Sequence, residues 1–177
     1  MNYIKTYNSP LGTITMASNG EKLIGLWFDG QKYDRDTLTD NYLEKNLPIF
    51  IETKKWLDCY FNGNTPDFTP PIELNTSAFR LEVWQILQAI PYGQTMTYGQ
   101  IADLLAKKHG LTRMSAQAVG GAVGHNPISL IIPCHRVVGT NGSLTGYAGG
   151  IDKKIALLQL EQVNMSSLFV PKKGTAL

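Results

Sequence analysis

The chain has little of what several large protein classes need. Its 177 residues include only two cysteines, which excludes a disulfide-dense fold and favours a reducing, cytoplasmic location. Charged residues make up 17%, too few for a chain kept disordered by its charge. No apolar run approaches the roughly 18 residues that a membrane helix needs, and the first residues do not show the pattern of a signal peptide. The composition therefore predicts a globular protein of one or two domains, away from the membrane.

Motifs for the commonest metal and cofactor sites are missing as well. The sequence contains no Cys-x-x-Cys pair, no His-Glu-x-x-His motif and no phosphate-binding loop. Redox pairing, the usual zinc sites and nucleotide hydrolysis are therefore unsupported, and we expect neither a metal nor a cofactor.

The charges that are present are unevenly distributed. Residues 1–75 carry 7 basic and 10 acidic side chains, whereas residues 76–177 carry 9 and 4, and all three histidines lie in the second half. This balance would attract a polyanion to the second half. An ordinary solvated surface explains the same excess, so charge alone does not decide between the two.

A stretch rich in proline, asparagine and glycine, residues 62–71, lies where the charge changes sign. We therefore predict two domains, 1–74 and 75–177. The first domain starts with three short runs of β-forming residues separated by turn residues, which predict a β-meander. These runs are 2–8, 12–18 and 22–28.

A helical spacing follows over residues 38–61. Leu43, Leu47 and Ile51 recur on one predicted helix face, and Pro48 marks a break or a new helix start. We therefore expect one helix, or two, between the meander and the linker.

The second domain is predicted to be mostly helical. Thr76 or Ser77 can cap a first helix, and a capping box formed by Thr97 and Gln100 predicts the start of a second one, which reaches Leu105 or Lys108. The apolar residues expected on the buried faces of these helices are Phe79, Val83, Trp84, Leu87, Ile90, Ile101, Leu104 and Leu105.

A third helix, capped by Ser115 and covering residues 116–123, would complete a helix-turn-helix. Its residues are nearly all alanine, glycine and valine, which suits either the close approach of a partner or close helix packing. Asp152 can cap a last helix that ends near Gln162, and the residues after Asn164 receive no assignment.

The strongest chemical signal surrounds Cys134. A buried apolar run leads to Pro133-Cys134-His135-Arg136, and a thiol reacts as the thiolate, which nearby cations favour. A free cysteine is often only a small core residue, and Cys59 fits that description. The neighbours of Cys134 make a nucleophile the better interpretation, although spacing alone does not name a reaction.

The same residues resemble a known family. Pro133-Cys134-His135-Arg136, preceded by Asn126-Pro127 and followed by Tyr147-Ala148-Gly149-Gly150, is similar to the active-site signature of the O6-alkylguanine-DNA alkyltransferases. The resemblance extends from about Ser77 to Gln162, and more loosely into the first half. It implies an α+β fold: a small ribonuclease H-like α/β domain, built from an antiparallel meander and a helix, followed by a winged-helix-like domain with a helix-turn-helix.

The resemblance also implies an activity. Such proteins flip O6-alkylguanine out of duplex DNA and transfer the alkyl group irreversibly to their own cysteine, once per molecule. We expect this activity here, also on O4-alkylthymine, with double-stranded DNA bound from the minor groove by a monomer.

Residue roles follow from matching positions. Cys134 is implied as the nucleophile, His135 as a base that acts through a water, and Glu161 as the carboxylate that orients His135. Tyr98 is implied to assist departure of the guanine, and Asn126 to act as a hinge between the DNA-reading helix and the cysteine loop. The residues implied to line the base pocket are Tyr98, Val137, Tyr147 and Ser129.

The residues implied to contact DNA lie on and around the small-residue helix. They are Thr97, Arg113, Gln117, Ala118, Gly121 and Arg136. The family usually has an arginine just before Ala-Val-Gly-Gly-Ala, as a finger that fills the gap left by the flipped base, and this chain has Gln117 there. A glutamine can hydrogen-bond an orphaned base but brings no charge, so the change bears on DNA affinity rather than on thiol chemistry.

Two other functions stay open at this point. A module that recognises alkylated DNA without accepting the alkyl group is one, and Cys134 argues against it because related modules lack the cysteine. A Cys–His hydrolase is the other, and it needs an acyl pocket and an oxyanion hole that the sequence does not reveal.

Overall fold

The computed structural model describes residues 1–172, and the chain divides into two compact units. Residues 1–75 and 127–131 form the first, called here the sheet unit. Residues 76–126 and those from 132 onward form the second, called the helical unit. Strands thus dominate one unit and helices the other, which confirms the α+β class.

The sheet unit has four strands in the order β3-β2-β1-β4. Strands β1 (Asn2–Ser9), β2 (Gly12–Ser18) and β3 (Leu23–Phe28) pair antiparallel, which confirms the meander. A two-residue turn joins β1 to β2, so that Ser9 pairs with Gly12. The faces of β2 and β3 are almost fully buried, and they supply much of this unit's core.

The segment before Pro48 is not helical. Strand β4 (Tyr42–Glu44) pairs parallel with β1, and helix α1 runs over Pro48–Phe61. Leu43 pairs with Tyr3 through its backbone while its side chain stays 54% exposed, so the helical interpretation of residues 38–47 was wrong. Proline suits the first position of α1 because that position needs no N–H donor within the helix.

Residues 127–131 lie along the sheet although they come from the second half of the sequence. The Leu26 N–H donates to Pro127 O at 2.8 Å, and the Ser129 N–H donates to Leu26 O at 2.9 Å. The chain therefore leaves the helical unit after Asn126 and returns to it at Ile132, two residues before Cys134.

The helical unit contains four α-helices, two short parallel strands and one 3-10 turn among the described residues. In chain order they are α2 (Ala78–Gln88), β5 (Met96–Thr97), α3 (Tyr98–Lys108), α4 (Ala116–Gly124), the 3-10 turn Cys134–Arg136, β6 (Val137–Val138) and α5 (Ile151–Leu160).

Three predicted caps begin the helices of this unit. Ser77 accepts a hydrogen bond from the Arg80 N–H, Ser115 accepts one from the Ala118 N–H, and Thr97 forms the capping box with Gln100. Helices α3 and α4 pack together as a helix-turn-helix against α2. The Trp84 indole N–H also donates to Ala122 O, 2.8 Å away, which ties α2 to α4.

Two predicted details of the helices were wrong. Leu104 is 47% exposed, because α3 turns Ile101 and Leu105 inward and leaves position 104 outside. Helix α5 begins after Gly150, whose φ of +95° suits glycine, and Asp152 lies in its first turn rather than at the cap.

Residues 165–169 pack within the helical unit. Leu168 and Met165 contact a core cluster of Val138, Leu144 and Leu158. The Leu144 N–H donates to Phe169 O at 2.9 Å, which fixes the loop after β6.

Candidate active site

The candidate nucleophile lies on a tight turn. Pro133 precedes the 3-10 turn of Cys134, His135 and Arg136, and the Cys134 N–H donates to Ile132 O at 2.8 Å. Three residues complete one 3-10 turn, so successive side chains point in directions about 120° apart. All three side chains are buried.

Glu161 binds both residues that follow the cysteine. Its Oε2 lies 2.5 Å from His135 Nε2, and its Oε1 accepts from Arg136 Nε at 2.7 Å. The Gly93 N–H adds a third bond, to Oε1, at 3.1 Å. The pairing of Glu161 with His135 that the family resemblance implies is present in the structure, with the carboxylate at the end of α5.

The charges of this group largely cancel. Burial alone would raise the pKa of Glu161, but the bonds and charges of His135 and Arg136 outweigh it and hold that pKa at about 2. Burial lowers the pKa of His135 below its ordinary value, with Glu161 opposing. An ionised Glu161 between Arg136 and a neutral His135 leaves a base ready to accept a proton.

Cys134 has two favourable partners. Burial has the largest effect and leaves the pKa of the thiol above its ordinary value, although a hydrogen bond from Asn126 and the positive charge of Lys154 both act to lower it. Asn126 also donates through Nδ2 to Ile132 O at 2.7 Å, which ties the end of α4 to the residues just before the cysteine. That geometry agrees with the hinge position implied for Asn126.

Tyr98 lies against the loop that follows Leu144. Its hydroxyl is 3.3 Å from both Thr145 O and Gly146 O. A side chain at Gly146 would collide with this hydroxyl, and the φ of +87° there also favours glycine. Burial and the neighbouring Cys134 raise the pKa of Tyr98, so its hydroxyl keeps its proton and is a hydrogen-bond donor at neutral pH.

Tyr147 and Val137 are two further residues predicted to line the base pocket. Both are buried, and the Tyr147 ring meets the His135 ring edge-on with centroids 6.5 Å apart. The Tyr147 hydroxyl has no hydrogen-bond partner among the described residues. Ser129, also predicted for this pocket, belongs to the sheet unit, where its backbone binds Leu26.

The predicted DNA contacts divide into three groups. Thr97 is half-buried, and its side chain caps α3 by accepting from the Gln100 N–H. Arg113, Gln117, Ala118 and Gly121 are exposed on or beside α4. Arg136 is only 9% exposed and donates to Glu161 and to Ile90 O, so its position gives no support to DNA contact.

The sequence did not predict that two cationic residues, Arg136 and Lys154, would be buried near the cysteine. The inner role of Arg136 depends on the fold, which brings in Ile90 and Glu161 from far along the chain. Lys154 is fully buried, and its helical spacing with Leu157 and Leu158 was the available signal.

Residues 1–172 contain no group of three His, Cys, Asp or Glu side chains placed to hold a metal ion. The same residues contain no helix long and apolar enough to cross a membrane.

The helical unit combines a helix-turn-helix with a buried cysteine that is followed by a histidine bound to a carboxylate. This combination fits a class of proteins in which a cysteine with a neighbouring base accompanies a DNA-binding motif. Two family models identify it further. The 6-O-methylguanine DNA methyltransferase DNA binding domain matches residues 78–163, and the ribonuclease-like domain of the same family matches residues 2–74. The chain belongs to the 6-O-methylguanine DNA methyltransferase family.

Individual relatives agree. A methylated-DNA–protein-cysteine methyltransferase of Mycobacterium tuberculosis is 40% identical over 162 residues, covering 92% of this chain and 93% of that one. The protein of the same name from Methanosarcina acetivorans is 41% identical over 160 residues, 90% of this chain and 97% of that one. The crystal structure of Mycobacterium tuberculosis OGT in complex with DNA superposes with a TM-score of 0.79 at 39% identity, over 90% of this chain and 92% of that one.

Proposed function

We propose that this chain repairs alkylated DNA by accepting the alkyl group from O6 of guanine on Cys134, once per molecule. The observation that carries the proposal is the buried group of Cys134, His135 and Glu161, with His135 held 2.5 Å from the carboxylate. The match to methylated-DNA–protein-cysteine methyltransferases over nearly the whole chain supports the same reaction.

The step is a displacement at carbon. His135 takes the thiol proton through a water, and the Cys134 sulfur forms a bond to the alkyl carbon while the carbon–oxygen bond breaks. The bonding electrons leave with the guanine, which accepts a proton through the hydroxyl of Tyr98. The product is an S-alkylcysteine, and no group in this site would reverse it.

The base must leave the helix first, at a cost of a few kcal/mol, because O6 is not accessible within the stack. Helix α4 suits the required close approach from the minor groove. Gly121 is exposed, and a methyl group added there would meet no atom within 4 Å, so packing inside the protein does not explain the glycine. The exposed Gln117 would enter the gap left by the flipped base.

The remaining expectations belong to the same proposal. We propose that residues 1–74 and 75–177 act as two domains, that the protein works as a monomer in the cytoplasm, and that O4-alkylthymine is a second substrate. A module that only recognises alkylated DNA has no use for a nucleophile beside a base and its carboxylate, so Cys134 favours transfer.

Labelled duplex DNA tests which cysteine accepts the group. Transfer of a radiolabelled methyl group from O6-methylguanine to protein should disappear in Cys134→Ser and persist in the matched control Cys59→Ser. DNA binding by Cys134→Ser should remain close to that of the parent. Transfer that persists in Cys134→Ser would refute the assignment, and tight binding with no transfer by the parent would favour the recognition module.

A further inference from the structure

The helical unit buries a lysine beside the candidate nucleophile. Lys154, on α5, has no exposed surface, and its ammonium group donates to Val137 O and, at 2.8 Å, to Thr145 O. Both acceptors are neutral carbonyls. Among the ion pairs of residues 1–172, none includes Lys154.

A buried cation without a carboxylate is costly, and proteins seldom retain one without a use. The other cation near the cysteine is already matched, because Arg136 pairs with Glu161. Burial lowers the pKa of His135, so its ring is neutral before the reaction. The positive charge near Cys134 that has no acidic partner is therefore Lys154.

We propose that Lys154 is a positioning residue for alkyl transfer, and that its ammonium group is the counter-charge of the Cys134 thiolate. Its two hydrogen bonds also join β6, which follows the cysteine, to the loop between β6 and α5. The inference rests on the proposed function. Val137 lies three residues after Cys134, and Thr145 O also accepts from Tyr98, so one ammonium group joins both walls of the site.

The electrostatic contacts agree with this role. The charge of Lys154 lowers the pKa of the Cys134 thiol, and Cys134 in turn raises the pKa of Lys154, which burial has lowered to about 8. The other titratable groups that face this pair are His135 from the 3-10 turn, Tyr98 from α3 and Tyr147 from the loop.

The test measures thiol reactivity without DNA. In a Cys59→Ser background, the rate of Cys134 alkylation by iodoacetamide is followed from pH 5 to pH 10 in the parent, Lys154→Met, Lys154→Arg and the matched control Lys153→Met. We expect Lys154→Met to raise the Cys134 pKa by about one unit and to slow the reaction three- to tenfold at neutral pH, because a thiolate of higher pKa is scarcer but more nucleophilic.

The shape of the pH profile separates a charge effect from a packing effect. The rates of Lys154→Met and the parent should converge above the pH at which Lys154 loses its proton. Lys153→Met should follow the parent throughout, whereas Lys154→Arg should follow it up to that pH and keep the counter-charge above it. A rate that is lower by the same factor at every pH would overturn the proposal and leave Lys154 a packing residue. Unchanged alkylation of Cys134 in Lys154→Met would overturn it as well.

A second measurement does not need a folded Lys154 variant. The Lys154 pKa, followed by NMR of carbon-labelled lysine, should be lower in Cys134→Ser than in Cys59→Ser, because coupling between two titrating groups is reciprocal. Equal values would refute the coupling. Neither measurement uses DNA, so the proposed repair activity can fail while the role of Lys154 stands, and the reverse.

Discussion

Glu161 is the carboxylate that binds both basic side chains next to Cys134. Its two oxygens bind His135 and Arg136, and the Gly93 N–H holds it in place. Removing its charge would leave the buried Arg136 without its anionic partner and would weaken the bond that orients His135. One carboxylate thus supports both the geometry of the base and the stability of the unit.

Glu161→Gln is expected to slow methyl transfer without abolishing it. The amide can still hydrogen-bond but no longer favours protonated His135, so the single-turnover rate should fall and the Cys134 pKa should rise. The matched control is Glu82→Gln, which removes a surface carboxylate that also binds a histidine, His109, at 2.8 Å. An unchanged rate and thiol pKa would remove Glu161 from the relay.

The same carboxylate predicts a pH dependence of stability. The pKa of Glu161 is about 2 in the folded protein, below its ordinary value of 4.5, so its contribution is present above pH 4.5 and is lost as the pH falls towards 2. The difference corresponds to about 3 kcal/mol of unfolding free energy. Acid titration of the unfolding free energy should show this loss in the parent and a flatter profile in Glu161→Gln; equal slopes would contradict it.

We expect substitutions of Gln117 to change DNA binding rather than the rate of bond formation at Cys134. Gln117→Arg adds a cation near phosphates, and each phosphate neutralised should steepen the dependence of log K on log salt by about 0.9. The variant should bind duplex more tightly at low salt and converge with the parent at high salt.

Gln117→Ala should slow repair of duplex more than reaction with a free alkylated base, which needs no flipping. The matched control is Gln85→Ala, an exposed glutamine on α2. Single-turnover rates on both substrates check the expectation. Equal slowing on duplex and free base would mean that Gln117 supports the pocket or the fold instead.

Helix α4 is less stable than it could be, because its exposed face carries a glycine at position 121. Alanine favours a helix interior over glycine by about 1 kcal/mol, and a methyl group at position 121 has open space around it. Gly121→Ala should therefore raise the free energy of unfolding by up to about 1 kcal/mol while it weakens duplex binding. Thermal unfolding and a duplex titration measure the two effects, and unweakened binding would contradict close approach at this helix.

Residues 165–169, which follow α5, contribute to the packing of the helical unit. Leu168 packs on the cluster of Val138, Leu144 and Leu158, so Leu168→Ala should cost about 1–2 kcal/mol of unfolding free energy. Val170→Ala, at a position 51% exposed, is the control and should change it by less than about 0.5 kcal/mol. Equal losses in the two variants would show that Leu168 adds no packing.

Local signals were sufficient for some elements and not for others. The caps at Ser77, Thr97 and Ser115 were predictable because they depend on residues only three positions apart. Strand β4 was missed because its pairing with β1 joins residues far apart in sequence, and three exposed residues show no strand pattern.

Local sequence signals also predicted only part of the candidate site. The Cys134 motif identified the turn, but Arg136 and Lys154 are defined by partners that only the fold brings near, Ile90 in one case and Thr145 in the other. Cationic residues usually lie at the surface, so nothing local in the sequence indicated that Arg136 would be buried.

The proposed function requires that each protein molecule accept one alkyl group and no more. Intact mass should be measured after incubation with an excess of duplex containing O6-methylguanine, over increasing time and DNA concentration. We expect a gain that stops at one methyl group per molecule, located on Cys134 by peptide mapping, with as much guanine restored as protein methylated. Restored guanine in excess of the protein, or a methyl group located on Cys59, would contradict it.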